Sequence, residues 1–408
     1  MWAAGVGSAE KSIAVASQYD ANRVEILRLM VACFSDSLYQ SPDKYDSCAS
    51  MWLEVATSAE TPFAEISFYS LLNTVLGYDP VGWGLPYGGA LSADSARPLM
   101  EVAVQVLIIL LDYGLPIRPT ENDADAPAKE GARSHRKRAA SGAGLPSVRA
   151  DDTEALGFNV FRKFLSEIEN EEQLNFMFRG FSRLLNNVHK AQNTVLPYSL
   201  MSIDIEEELM VLLWKCIEEN PHFLPFLMKS CDITELVVPI CFFMLDGRKD
   251  PAKLGLIYLS TFTLLKLSGD RNFGVALNRP YSLRLPVDMP LFTGTFGDLL
   301  VISLHKMIVN GSDKLAALYN CFLTIICNIS PYCKYLSSIS AVKLINLLQL
   351  FTSPRFFYAN EGNYMYVMML LTTMNNMIQY QYEGNVHLVY AILRRKEIFY
   401  KLARLTLP

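Results

Sequence analysis

The stretch DIEEELMVLLWKCIEENP, residues 204–221, decides the fold class that the sequence predicts. Its apolar residues recur three and four positions apart, which gives a helix one apolar stripe and leaves the acidic residues on the opposite side. That stripe consists of Ile205, Leu209, Leu212, Leu213 and Cys216. Asp204 followed by Glu207 is typical of a capping box at a helix start, and Asn220-Pro221 is typical of one helix ending and the next beginning.

The same spacing recurs along most of the chain. Asp250-Pro251 predicts the start of a helix that runs to Leu267 and ends at Gly269. Further helices are predicted at about 21–39, 62–76, 96–113, 158–188, 297–310, 313–329, 340–351, 364–380 and 385–404. Many helices of this length, in a chain of 408 residues that is 51% hydrophobic, favour an all-α, armadillo-like helical stack (an α-solenoid) with ordered irregular loops. A multi-helix globule is the alternative.

Residues 115–152 break this pattern. They are rich in Pro, Ala, Gly, Asp, Glu and Ser and lack apolar periodicity, so burial cannot offset the entropy lost on ordering. The sequence therefore predicts a disordered linker that separates an N-terminal helical segment, 1–114, from a helical stack, 153–408. We interpret the basic run RSHRKR at 133–138 as solvated linker charge, with a nuclear signal or an anionic-lipid contact as the alternatives.

Two irregular segments, 78–88 and 272–296, are predicted to be ordered although they lack a helix pattern. Both are rich in aromatic and apolar residues, which bury well, and in prolines, which lower the entropy of the unfolded chain. If the Trp83 ring in the first segment is buried in the core, Trp83→Ala should destabilise the protein by a few kcal/mol; an exposed, partner-binding ring is the alternative. In the second, Tyr281–Leu291 is the one extended candidate, but its prolines make it a poor central strand, and we interpret it as an ordered loop.

The composition favours neither nucleic acid nor a cofactor as a partner. The formal net charge of −5 provides no global basic surface. None of the eight cysteines is spaced as C-x-x-C, and no cysteine–histidine set has zinc spacing, so we expect no metal and a reducing compartment. No nucleotide-binding glycine motif and no nucleophile motif is present, so we expect no cofactor and no catalytic residues.

No segment is predicted to span a membrane. The best apolar runs, Val102–Leu111 and Leu236–Leu245, are each about ten residues long, against the roughly 20 that a bilayer requires. A second basic run, Arg394-Arg395-Lys396, follows an apolar helix pattern. We interpret it as the C-terminal end of a helix, with a membrane-facing or partner-facing patch as the alternative.

A catalytic site assembled by the fold is the alternative to a protein without catalytic function. Its candidate residues lie in 272–300 and next to it: Arg271, Asn272, Asp288 and Asp298. An enzyme would aim several of these side chains into one concave site, whereas a scaffold would use them to cap helices or to bond loop backbone.

Five strings of the sequence are similar to the high-temperature-induced dauer formation (Hid) protein family, of which dymeclin is a more distant relative. They are WAAGVG (2–7), NTVLGYDPVGWGLPY (73–87), AVQVLIILLD (103–112), LSGDRNFGVALNRPYSLRLPVDMPLFTGTFGDLL (267–300) and LLTTMNNMIQYQYEGNVHLVYAILRRKEIF (370–399). The resemblance covers nearly the whole chain except 115–152, and the fourth string is the most specific.

The resemblance implies a helical-stack protein on the cytosolic face of the Golgi. Such proteins act in secretory sorting and dense-core vesicle biogenesis through protein partners, and no enzymatic activity is implied. Family members attach to membranes partly through an N-terminal myristoylated glycine. This chain begins Met1-Trp2 and resembles the central part of the family, so we expect weak or indirect membrane association. A solenoid adaptor for another process, such as nuclear import, is a further alternative.

Overall fold

The computed structural model describes residues 5–7, 17–39, 41, 50–80, 96–114, 159–192 and 200–404. Within these residues the protein is all-α, as predicted, and its strands are two pairs of residues. The linker 115–152 and the segment 81–88 with Trp83 lie outside the described residues.

The helices of the first half are α1 (Ser17–Phe34), α2 (Met51–Ala56), α3 (Ala64–Leu76), α4 (Ala96–Asp112), α5 (Val160–Ser166), α6 (Glu171–Gln192), α7 (Glu206–Glu219), α8 (Phe223–Ser230) and α9 (Thr234–Gly247). Those of the second half are α10 (Leu254–Ser268), α11 (Arg271–Ala276), α12 (Phe296–Asn310), α13 (Tyr319–Ile329), α14 (Ser338–Phe351), α15 (Pro354–Phe357), α16 (Tyr364–Gln381), α17 (Val386–Arg394) and α18 (Lys396–Ala403). The strands are β1 (Pro280–Tyr281) and β2 (Gly294–Thr295).

The long helices pack in two rows. In one row α1, α4, α7, α10, α13 and α16 each contact the next, and in the other α3, α6, α9, α12, α14 and α17 do the same. Contacts between the rows join α3 to α4, α6 to α7, α9 to α10, α12 to α13 and α14 to α16. One continuous cluster of buried apolar side chains runs between the rows from Val24 to Ala391.

Helix α9 occupies the middle of the second row, and its sequence explains its burial. It is apolar on all sides, and such a helix is stable in water only when it is covered on all sides. It packs against α6, α10 and α12, and Leu236, Cys241 and Met244 are among its fully buried side chains.

Several predicted helix ends are confirmed by the hydrogen bonds that form them. The Asn220 Oδ1 atom accepts from the backbone N of His222 and Phe223, at 2.7 and 2.8 Å, and so starts α8 where α7 ends. Asp250 accepts from the Ala252 backbone N and starts a short 3₁₀ turn that leads into α10, for which Gly269 is the C-cap.

Three details of the predicted helices are wrong. The pattern at 158–188 is two helices, because the chain turns between Glu167 and Asn170, and the pattern at 385–404 breaks at Arg395. The predicted cap Asp204 does not cap α7, whose N-cap is Ile205 without a side-chain bond. Asp204 lies instead 3.8 Å from the Arg97 guanidinium at the start of α4.

Asn73 joins two of the strings that carry the family resemblance. Its side-chain amide donates to the Gly5 carbonyl at 2.7 Å and accepts from the Gly7 backbone N at 2.8 Å. Both glycines have positive φ, +91° and +78°, a conformation that glycine adopts without steric cost. Arg183 of α6 then donates to the Leu76 and Tyr78 carbonyls, so that the end of α3 is fixed to the next helix of its row.

The helical run Asp313–Tyr332 is, among the described residues, the one long and apolar enough to cross a membrane by length and composition. It contains α13 between two 3₁₀ turns and packs against α10, α12 and α16. The stripe that its sequence predicts is entirely buried in the protein: Leu315, Leu318, Phe322, Ile325 and Ile329. One face of this run is therefore buried in the protein, whereas the opposite face carries exposed and half-buried residues.

Candidate partner-binding loop

The irregular segment that follows α11 is an ordered loop held closed at its base. Strands β1 and β2 pair antiparallel, with Pro280 opposite Thr295 and Tyr281 opposite Gly294. Two further backbone bonds continue the closure, from Phe296 N to the Arg279 carbonyl at 3.1 Å and from Gly297 N to the Leu277 carbonyl at 2.9 Å. The residues between the strands, 282–293, are called the partner loop below.

Asn278 fastens the base of the partner loop to the segment between α13 and α14. Its Nδ2 atom donates to the Tyr332 carbonyl at 2.8 Å, and its Oδ1 atom accepts from the Lys334 backbone N at 2.8 Å. The two segments of the chain approach so closely that a Cβ on Gly274 would lie 2.6 Å from the Tyr332 ring. A side chain at position 274 would therefore push the segment away.

We expect Asn278→Ala to lower the free energy of unfolding by about 2 kcal/mol, because it removes both hydrogen bonds, each of which contributes about 1 kcal/mol. Asn272→Ala is the matched control: Asn272 is an exposed amide on α11, and its replacement should cost less than about 0.5 kcal/mol. Urea unfolding of both variants measures the difference. Equal losses of unfolding free energy in the two variants would show that the hydrogen bonds of Asn278 to residues 332 and 334 do not stabilise the protein.

Aromatic packing gives the partner loop its shape. The Tyr281 and Phe292 rings stack with centroids 5.4 Å apart and planes 7° from parallel, and Phe296 meets Tyr281 edge-on at 5.4 Å. Burial raises the pKa of the Tyr281 hydroxyl, which keeps the phenol neutral. The loop thus presents its tip on a rigid aromatic base.

The tip of the partner loop exposes apolar side chains beside two recesses. Leu291 is 81% exposed and Leu283 is 53% exposed. A recess of about 640 Å³ is lined by the loop itself, between Tyr281 and Phe292. A second, of about 500 Å³, lies where Leu291 and Phe292 face the start of α14, at Ser337–Ile339. Exposed apolar groups beside concave surfaces are typical of protein interaction sites.

The four residues of the catalytic alternative do not converge. Asp298 is fully buried and forms a capping box with Thr295, and its other carboxylate oxygen accepts from the Ser337 backbone N at 2.8 Å. Asp288 lies on the surface, where the Lys306 ammonium at 2.7 Å lowers the pKa of its carboxyl group. Arg271 and Asn272 are exposed on α11. Asp298 thus joins the first turn of α12 to the segment that precedes α14.

The buried cysteines Cys241 and Cys333 are packed in the core, and possible metal ligands are scattered among the described residues. In the described part of the chain no three His, Cys, Asp or Glu side chains are grouped so as to hold a metal ion. Burial raises the pKa of the Cys241 and Cys333 thiols to about 12, so both are protonated at neutral pH and are poor nucleophiles.

The fold and the partner loop define an all-α protein that presents ordered irregular loops on packed helices. Its sequence matches the family described as Dymeclin: Dyggve-Melchior-Clausen syndrome protein over residues 6–408. It is 42% identical to Protein HID1 of Homo sapiens over 406 residues, which are 99% of this chain and 49% of that protein. Protein HID1 of Dictyostelium discoideum is 32% identical over 99% of the chain and 44% of its own length.

The chain belongs to the dymeclin family, and the resemblance to Hid proteins is confirmed. A more distant relative, 26% identical over the whole chain and 42% of its own length, is the Ubp5-interacting protein ftp105 of Schizosaccharomyces pombe. The chain spans about half the length of the curated relatives that it matches. No solved structure matches it.

Proposed function

We propose that the chain is a non-catalytic helical scaffold of armadillo-like architecture. The observation that carries this proposal is the pair of rows, in which each long helix contacts mainly its neighbours along the row and one partner across it. Nearest-neighbour packing of this kind is the defining property of helical solenoids, and it creates long surfaces suited to binding other proteins. The capping role of Asp298, in place of a catalytic one, supports the same proposal.

The cellular role that we propose is secretory sorting, including dense-core vesicle formation, at the cytosolic face of the Golgi. Family membership supports this role. One relative is named for its interaction with another protein, which supports action through protein partners. We propose that contact with Golgi membranes is made through such partners, and that the partner loop is one surface that binds them.

The test is proximity labelling in secretory cells by the chain fused to a biotin ligase. We expect Golgi proteins of the cytosolic face to be enriched, and Leu283→Asp/Leu291→Asp to reduce that enrichment by about tenfold, because buried charge without a partner abolishes apolar docking. The matched control is Leu38→Asp/Val55→Asp, which changes two side chains that are also exposed, 75% and 60%, far along the chain.

Two results would contradict the proposal. Enrichment no greater than that of the ligase alone would overturn the Golgi role. Enrichment that is unchanged in Leu283→Asp/Leu291→Asp, or reduced equally in the control, would overturn the assignment of the partner loop.

A further inference from the structure

Two recessed cations hold the tip of the partner loop through one carboxylate. The Lys306 ammonium of α12 donates to the Asp288 carbonyl and, at 2.7 Å, to the Oδ2 atom of the Asp288 carboxylate. The Arg248 guanidinium at the end of α9 lies 3.8 Å from the same oxygen atom. The side chains of Lys306 and Arg248 are 12% and 14% exposed, whereas that of Asp288 is 83% exposed.

Lys343 of α14 adds a cation close to Lys306. It is half-buried, and none of the ion pairs found among the described residues includes it. Burial and the charge of Lys306 both lower the pKa of its ammonium group. Helix α14 contains no acidic residue, and the one acidic residue of α12, Asp298, is bonded to Thr295 and Ser337. Neither helix therefore offers Lys343 a counter-ion.

Local structure explains the position of Arg248 but not the excess of positive charge. Arg248 is the C-cap of α9 and donates to a carbonyl of the last turn, where the helix dipole favours a cation. Lys249 follows on the surface, and the nearby Asp246 is already bonded to Lys253. Asp288 is the acidic partner in each ion pair that these cations form among the described residues. One carboxylate thus serves four cations, called the cationic site below: Arg248, Lys249, Lys306 and Lys343.

The cationic site lies inside the helical array. In the second row α9 packs between α6 and α12, α12 between α9 and α14, and α14 between α12 and α17. The backbone at Arg248 is fixed to the turn after α12, because its carbonyl accepts from the Ser312 backbone N at 3.1 Å. Each helix that carries or positions a cation thus has neighbours on both sides along its row.

We propose that Arg248, Lys306 and Lys343 bind a phosphoryl group on a segment of a partner protein, which displaces Asp288 and so releases the partner loop. A phosphate monoester carries a charge of about −1.5 to −2 at pH 7 and three acceptor oxygens, which suits several cations better than one carboxylate does. An exposed ion pair such as that of Asp288 contributes little to stability and is readily exchanged.

A protein segment fits the cationic site better than a bilayer does. The partner loop already places an anionic side chain there, between Val287 and Met289, which are partly buried against the core. A segment with an anion between two apolar residues is therefore what this surface accommodates. A flat membrane surface does not reach cations as recessed as Lys306 and Arg248, whereas a single phosphorylated side chain does.

The test measures the binding of three fluorescent peptides to the intact chain. All copy residues 284–291, RLPVDMPL, with phosphoserine, aspartate or serine at the position of Asp288. We expect the phosphoserine peptide to bind at least about tenfold more tightly than either of the others, and this preference should shrink as salt is added. The test uses the purified chain, so its failure would leave the proposed Golgi role and its proximity-labelling test unaffected.

Variants with effects of opposite sign locate the site. Lys306→Gln and Lys343→Gln should each weaken the phosphoserine peptide by at least about tenfold. Asp288→Asn should tighten its binding by at least about threefold, because the internal competitor is removed, and a folding defect would not produce tighter binding. Lys229→Gln and Glu167→Gln remove the same charges at other exposed positions and should leave the affinity unchanged.

Release of the partner loop has its own measurement. Hydrogen exchange of the chain's amides at 286–289 should quicken when the phosphoserine peptide is bound, because the two bonds from Lys306 to Asp288 are then lost. The serine peptide at the same concentration should leave that exchange unchanged. Peptide binding without faster exchange would overturn the release of the loop.

Three outcomes would overturn the phosphoryl site itself. One is equal affinity for the phosphoserine and serine peptides. Another is affinity for the phosphoserine peptide that Asp288→Asn does not raise. The third is co-sedimentation with phosphatidylcholine vesicles containing phosphatidylinositol 4-phosphate that Lys306→Gln and Lys343→Gln abolish, while the phosphoserine peptide does not bind. The cationic site would then be a lipid contact.

Discussion

Asp298→Ala is expected to lower the free energy of unfolding by about 3–5 kcal/mol, one of the two largest effects predicted for this protein. The fully buried carboxylate accepts three hydrogen bonds: from the Thr295 backbone N at 2.9 Å, from the Thr295 hydroxyl at 3.2 Å and from the Ser337 backbone N at 2.8 Å. Alanine removes the half of the capping box that the Asp298 carboxylate forms and leaves the buried backbone N atoms of Thr295 and Ser337 without acceptors, which is costlier than losing the bonds alone.

A comparison variant separates the contribution of helix capping from that of the hydrogen bond between Asp298 and the Ser337 backbone. Asp270 is the N-cap of α11 and accepts from the Asn272 backbone N, but it is only half-buried, and its side chain bonds no other helix among the described residues. Asp270→Ala should therefore cost only about 1 kcal/mol. Urea unfolding followed by circular dichroism compares the two. A loss in Asp298→Ala no larger than in Asp270→Ala would show that the bond to Ser337 adds nothing.

Sequence patterns predicted the helix ends whose hydrogen bonds join residues close together in the sequence. Asn220-Pro221 and Asp250-Pro251 act through bonds to backbone groups two or three positions away, and such bonds follow from the residue types alone. The Thr295-x-x-Asp298 box is of the same kind. It was nevertheless not predicted, because Asp298 was considered only as a candidate residue of the catalytic alternative.

Features that depend on distant parts of the chain were not predictable in this way. The turn that splits the predicted helix at 158–188 is stabilised by Asn220, whose Nδ2 atom donates to the Leu165 and Ile168 carbonyls at 2.7 and 2.8 Å. Asp204 satisfies the local rule for a cap, yet it lies near Arg97 of another helix. These outcomes depend on which helices become neighbours, which propensity does not encode.

The partner loop likewise combines features that the sequence predicted with features that depend on distant residues. Family resemblance identified 267–300 as the most specific string, and its aromatic content predicted order. Its closure by β1 and β2 was missed, because two-residue strands leave no alternating pattern to detect. The bonds of Asn278 to Tyr332 and Lys334 join residues more than 50 positions apart and required the fold to be known.

Acidification from pH 7 to pH 5 is expected to destabilise the protein by about 2 kcal/mol for each of two buried histidines. Burial, reinforced by Lys190 near His189 and by Lys343 near His305, lowers the pKa of each imidazole from 6.5 to about 4. Neither Nδ1 atom has a hydrogen-bond partner among the described residues. The folded chain therefore keeps both rings neutral, whereas the unfolded chain protonates them below about pH 6.5.

The sign of this effect follows from proton uptake. Between about pH 6.5 and about pH 4 the unfolded state binds more protons, so the contribution of both rings is complete above this window and is lost as the pH falls through it. Urea unfolding at several pH values should show a shallower slope in His189→Phe/His305→Phe than in the parent. His222→Phe changes an exposed ring and should retain the parent slope. Because the comparison is of slopes, a packing cost of the double variant does not affect it, and an unchanged slope would mean that neither ring resists protonation in the folded protein.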